Sequence, residues 1–174
     1  MKNFKIVIAF FAILISATTV KAQFVKADVE VSGLTCSMCQ LATQKSLKTL
    51  DFISDIKPDL NKNIYVLTFK KGAAVDLDMI KKKVKDAGFS VSKLVATFNF
   101  KDVKVSNDFH YKYGNDIFHF MNVPSKTLNG ETKVTVINKD FISANDFKKF
   151  ASQTKYACYK TGVMGDAKVF HLTI

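Results

Sequence analysis

The chain has 174 residues, 48% of them hydrophobic and 24% charged, which excludes a disordered or fibrous protein and fits one or two globular domains. Its net charge of +11 comes from 26 basic residues, all lysine, against 15 acids. Without the bidentate guanidinium fork of arginine a sequence-reading nucleic-acid protein is disfavoured, and three cysteines are too few to staple a small scaffold.

The first 22 residues read as an address. Lys2 and Lys5 precede the apolar run from Ile6 to Ile15, small and polar residues follow from Ser16 to Thr19, and Val20-Lys21-Ala22 gives a small-x-Ala cleavage pattern. The apolar core is too short for a bilayer interior about 30 Å thick. Residues 1–22 are therefore expected to be a signal peptide, and the protein to be exported, periplasmic or secreted, with no stable membrane insertion after cleavage. Cysteines then work in an oxidising compartment.

From Gln23 the pattern alternates. Val25, Ala27, Val29 and Val31 face one way and Lys26, Asp28, Glu30 and Ser32 the other, as in a half-buried strand. Gly33 ends it. Ser37 and Gln40 form a capping box, and Leu41, Leu47 and Leu50 continue as a helical stripe. Strands are predicted at Phe52–Lys57 and Ile64–Phe69, around a turn at residues 58–63. Asp76 caps a second helix with Leu77, Ile80, Val84 and Ala87 on its apolar face and Gly88 as its stop. A fourth strand runs from Phe89 to Val95. The order βαββαβ is the ferredoxin-like arrangement, expected over residues 23–98.

Residues 99–174 are expected to form a smaller β-rich domain. Phe109, Tyr111 and Tyr113 alternate with polar residues, and Gly114-Asn115 makes a two-residue hairpin turn whose register sets His110 opposite His119. Asn129-Gly130 suggests another turn, Ser143 with Asp146 caps a short helix, and residues 155–160 and 167–173 read as strands. The fold class is α+β: a ferredoxin-like unit followed by a β-rich unit, read as an OB-like barrel or a second α+β sandwich.

The chemistry concentrates in Gly33-Leu34-Thr35-Cys36-Ser37-Met38-Cys39. Two thiols three residues apart, where a strand meets a helix, converge on one point, and the helix N-terminus favours thiolate over thiol. Thiolates select soft ions. The same spacing also suits a thiol–disulfide redox site or a plain disulfide. No Asp, Glu or His adjoins Cys36 or Cys39, so a zinc or cadmium site wanting four ligands fits least.

The motif and its place at the start of helix one resemble the heavy-metal-associated domain, over roughly residues 24–95. That family includes copper chaperones, modules of copper-transporting ATPases and periplasmic mercury-binding proteins. The resemblance implies metal ligation by Cys36 and Cys39, with Cu(I) ranked above Hg(II). Leu34 stands where the family usually carries Met and supplies the apolar anchor beneath the loop. Gly88-Phe89 matches the step opening the family's last strand, which places Phe89 beside the metal loop. The implied protein is not an enzyme. It exchanges Cu(I) with a donor or acceptor such as a copper-transporting ATPase domain, and the alternatives are a thiol–disulfide oxidoreductase or an Hg(II)-binding protein.

Two further features stand apart. His110, His119 and Met121 share a face of the predicted hairpin and form a candidate second copper site, the two histidines facing outward. Cys158, in a predicted strand, reads as a buried inert thiol. The run Lys81-Lys82-Lys83 reads as the solvated face of helix two.

Overall fold

The computed structural model describes residues 23–174, so the signal-peptide reading of residues 1–22 lies outside the described residues. Strand β1 (Gln23–Ser32) leads through Gly33 into helix α1 (Ser37–Lys48). Strands β2 (Ile53–Asp59) and β3 (Ile64–Phe69), helix α2 (Leu77–Asp86) and strand β4 (Ser90–Val105) complete the βαββαβ unit. Then follow β5 (Phe109–Tyr113), β6 (Asp116–Phe120), β7 (Lys126–Val136), α3 (Ala144–Ala151), the single turn α4 (Cys158–Thr161), β8 (Val163–Met164) and β9 (Ala167–Thr173). No helix among the described residues is long and apolar enough to cross a membrane.

The order of the first unit agrees with the pattern in the sequence, and local chemistry explains its ends. The Asp76 carboxylate accepts from the backbone N–H groups of Asp78 and Met79 to start α2. Gly88, at φ +91°, takes the left-handed position that stops it. Two details differ. A bulge between Phe24 and Lys26 puts Phe24 rather than Val25 into the core with Ala27, Val29 and Val31. Leu41 is exposed; the α1 face that packs inward carries Thr43 and Leu47.

The second half departs further. Strand β4 is 16 residues long and crosses residue 98 unbroken. Its first part pairs antiparallel with β1 and its second with β7. No proline or glycine lies between residues 96 and 105 to end it, and Ala96, Phe98 and Phe100 keep the alternation going inward. The strands therefore make one sheet, ordered β2-β3-β1-β4-β7-β9-β6-β5, with β8 paired to β9. The expected OB-like barrel is replaced by an extension of the ferredoxin-like sheet. Asn129-Gly130 is not a turn: Gly130, at φ +78°, sits inside β7 opposite Phe100, where β4 bulges before Val103.

Strands that are not neighbours in this sheet order share a core. The Phe98 ring lies 4.7 Å from Phe24, 4.9 Å from Tyr113 and 5.2 Å from Phe118, mostly edge to face. Residues from Phe24 to Leu172 form one buried cluster. A smaller cluster of Met121, Ile137 and Tyr159 lies beneath α3, against Phe147 and Phe150. On α2, Lys82 pairs with Asp86, as suits a solvated face, but Lys81 reaches over the Phe141 ring of the second half at 4.7 Å.

Candidate metal centres

The first centre is the start of α1. Cys36 is the N-cap, with extended backbone, and its Sγ accepts from the Cys39 N–H at 3.2 Å. Cys36 thus takes the capping role expected of Ser37. The Gln40 side chain reaches instead to the carbonyl of Leu60 and to Asn63 in the β2–β3 turn. Cys36 is exposed, Cys39 half-buried, and the two are joined as a disulfide with their Cα atoms 5.3 Å apart. The pair thus lies at the N-terminal end of α1, the positive end of the helix dipole.

The base of this loop is held by burial and hydrogen bonds. Leu34 is buried in the core, as its anchoring role requires. The Thr43 hydroxyl donates to the Cys39 carbonyl at 3.1 Å, and Tyr65 donates from β3 to the Gln40 carbonyl at 2.9 Å. Gly33 holds φ +88°, and the place a Cβ would occupy lies 3.6 Å from the Phe89 ring, which puts Phe89 beside the loop. Between the cysteines Met38 stands 70% exposed.

The second centre lies in the other half and gathers all three histidines of the chain, one from each of three adjacent strands. His110 of β5 pairs with His119 of β6, the register set by the Gly114-Asn115 turn. His119 in turn pairs with His171 of β9 across a parallel ladder. The two histidines of the hairpin do not face solvent. His119 is 0% exposed and His110 half-buried, because α4 covers this face. The expected strand at 155–160 is that single helical turn, stopped by Gly162 at φ +75°. Tyr159 anchors it: its hydroxyl donates to the Ile137 carbonyl at 2.8 Å and its ring lies between Phe147 and His171.

This turn delivers Cys158. Its Sγ is 3.5 Å from His110 Nε2 and 3.9 Å from His119 Nδ1. The donor atoms of His110, His119 and Cys158 lie within 4.8 Å of one another. Met121 is buried with Ile137 and Tyr159, so the sulfur brought to the two histidines is that of Cys158. Cys158 is buried, as expected, but faces two imidazoles rather than apolar neighbours. The remaining nitrogen of His119, Nε2, lies 3.1 Å from the Asp108 carboxylate. A carboxylate only accepts, so Nε2 carries the hydrogen and Nδ1 turns its lone pair toward Cys158.

Burial sets the charge states. It pushes His110 and His119 below the ordinary histidine value, although Asp108 pulls both the other way. Burial, with His119 and His110 nearby, pushes His171 down to about 3. Burial likewise raises the Cys158 thiol. At neutral pH the cluster therefore holds neutral imidazoles, the form that ligates metals.

Residues 28–90 match the family model of the heavy-metal-associated domain. The unit from β1 to the start of β4 is a heavy-metal-associated domain, and Cys36 and Cys39 lie within it. Among solved structures, the yeast copper transporter domain Ccc2a is 27% identical, over 38% of this chain and 90% of that one, with a TM-score of 0.34. Oxidized MerP from Ralstonia metallidurans CH34 is 27% identical, over 41% and 94%, with a TM-score of 0.35. Apo-CopP from Helicobacter pylori is 30% identical, over 38% and 97%, with a TM-score of 0.33. No curated protein matches the chain.

Proposed function

We propose that this protein is an exported, non-enzymatic carrier of a soft metal ion. It holds Cu(I), ahead of Hg(II), on the reduced Cys36–Cys39 pair and passes it to a partner protein. One observation carries this reading: within a heavy-metal-associated domain, two cysteine sulfurs converge at an exposed helix N-terminus. Export rests on the basic, apolar and small-residue order of residues 1–22.

Transfer proceeds by ligand exchange. A partner thiolate attacks the two-coordinate ion, a three-coordinate intermediate forms, and Cys36 and Cys39 leave in turn. Cys36, the more exposed, is the sulfur a partner reaches first. A partner carrying its own dithiol, such as a copper-transporting ATPase domain, meets this requirement. Before loading, the disulfide must take up two electrons and two protons from a thiol reductant.

The disulfide itself favours a second reading, a thiol–disulfide oxidoreductase using the same pair. Titrating the reduced protein with Cu(I) against a competing chelator separates the two. Stoichiometric tight binding with negligible disulfide reductase activity supports the carrier. Rapid turnover of a disulfide substrate with weak copper binding overturns it.

A further inference from the structure

We propose that His110, His119 and Cys158 form a second, internal metal site that takes a monovalent copper ion through two imidazole nitrogens and one thiolate. The site lies in the second half of the chain and owes nothing to Cys36 or Cys39. Its nitrogen–sulfur separations are close to those an ion imposes. With metal–nitrogen and metal–sulfur bonds of about 2.0 and 2.3 Å, a trigonal ion holds its nitrogen and sulfur ligands about 3.7 Å apart. The two observed nitrogen–sulfur distances, 3.5 and 3.9 Å, bracket that value.

The surroundings fit as well. Asp108 on His119 Nε2 is the carboxylate–histidine pair that orients a metal-bound imidazole and raises its basicity. Asp108 holds φ +56°, a left-handed conformation uncommon for a residue other than glycine. Two imidazoles and one thiolate suit Cu(I), whereas zinc closes a structural site with four ligands. Asp108 bonds Nε2, the His119 nitrogen remote from Cys158, and its carboxylate is not among the donor atoms gathered at the site. Binding displaces the thiol proton of Cys158 to solvent, one per ion, and no electron moves.

One rearrangement is required. His110 and His119 stack 4.1 Å apart with planes 11° from parallel, so their lone pairs cannot meet at one point. His119 is fixed by Asp108 and full burial. His110, half-buried on the edge strand, rotates to open the stack. The order Cys158–His119–Asp108 also suggests a nucleophile relay. Burial of Cys158 to 4% exposure opposes that use.

The test uses the chain from residue 23 with Cys36→Ser and Cys39→Ser, titrated anaerobically with Cu(I) against a chromogenic chelator. One equivalent should remain bound, and X-ray absorption should show two nitrogens and one sulfur. Adding Cys158→Ser or His110→Ala should weaken binding at least 100-fold. His110→Ala removes a half-buried edge residue and should keep the far-ultraviolet spectrum, which separates lost ligation from lost fold. No retained copper, sulfur-free coordination, unchanged affinity in folded His110→Ala, a site filled by Zn(II) in preference to Cu(I), or rapid alkylation of Cys158 in the folded protein would each overturn the proposal. Because the first pair is absent, failure here leaves the carrier reading standing. Conversely, a Cys158→Ser chain with Cys36 and Cys39 intact tests the carrier alone.

Discussion

Lys168 of β9 and Asp78 in the first turn of α2 face each other at 2.9 Å, and the same ammonium lies 3.4 Å from Asp76. This cation from the second half of the chain sits at the N-terminal end of the heavy-metal-associated unit's second helix. Two cap-region carboxylates that would crowd each other are thereby shared by one lysine, a link between the halves beyond the common sheet.

The pair should make stability pH-dependent in a defined direction. Burial alone would raise Asp78, but hydrogen bonds from Lys168 and Lys81 outweigh it and hold the carboxyl below its ordinary value. Its stabilising contribution is then complete above the unfolded value of about 3.9 and is lost as pH falls through the lower folded value. Burial alone would lower Lys168, yet Asp78 and Asp76 hold it above the ordinary lysine value. That contribution is complete below about pH 10.4 and is lost as pH rises through the folded value. Both groups are partly exposed, so Lys168→Met should cost only about 1 kcal/mol near neutrality. Urea unfolding of the two proteins at pH 7 and pH 2.5 checks this: the gap should shrink in acid, and an equal gap at both pH values would contradict it.

Tyr65 ties the metal loop to the sheet from beneath. Tyr65→Phe removes the donor to the Gln40 carbonyl while leaving the ring buried. The expected loss is about 1 kcal/mol, the net worth of one neutral hydrogen bond. Cu(I) affinity should fall less than tenfold, because neither sulfur is lost. Denaturant midpoints together with a chelator competition give both numbers. A large loss of affinity at unchanged stability would make Tyr65 part of the site.

What the sequence disclosed, and what it hid, follows from the range of the interactions. The first unit was legible because its signals are local: alternation in β1, the Asp76 cap and the Gly88 stop each act within a few residues. The His110–His119 register was legible for the same reason, since a two-residue turn fixes it. Its environment was not. β6 meets β9 in parallel, some fifty residues away along the chain, and only that pairing brings His171 alongside. The segment around Cys158 is equally a short strand or one helical turn by pattern. Its fate is decided by the Tyr159 hydroxyl reaching Ile137 and its ring packing on Phe147. A chain with three histidines and one cysteine outside the metal motif did carry a compositional hint, but no local rule joins them. No proline or glycine between residues 96 and 105 ends a strand, and β4 accordingly runs through the expected junction near residue 98.

His171 gives a sharper measure of the cluster. Both its ring nitrogens are buried without a hydrogen-bond partner. Such burial costs roughly 1–3 kcal/mol, which an apolar side chain of similar size avoids. His171→Leu should therefore stabilise the metal-free protein by about 1 kcal/mol, less than the full penalty because the rings of His119 and Tyr159 lose their edge-to-face neighbour. Thermal and urea unfolding of the variant check the sign. A destabilised variant with native secondary structure would show that the imidazole makes a polar interaction worth more than its burial cost.

The shared aromatic core predicts that the two halves unfold together. Phe98 belongs to β4 within the first half by sequence, yet its ring packs on Tyr113 and Phe118 of the second half as closely as on Phe24 of the first. Phe98→Ala should cost about 3–5 kcal/mol, the range for emptying a buried aromatic site. Cys158 reports on the far side, because it is the free thiol when Cys36 and Cys39 are joined and it is buried. If opening is global, its labelling by a thiol reagent should accelerate on the order of 100-fold or more in the variant, matching the loss of stability at about 1.4 kcal/mol per tenfold. Circular dichroism of the whole chain should lose stability by the same amount, in one transition. Labelling of Cys158 that is already fast in the parent, or that stays unchanged while the circular dichroism midpoint falls, would mean that α4 opens on its own and that the two halves are separate cooperative units despite their common sheet.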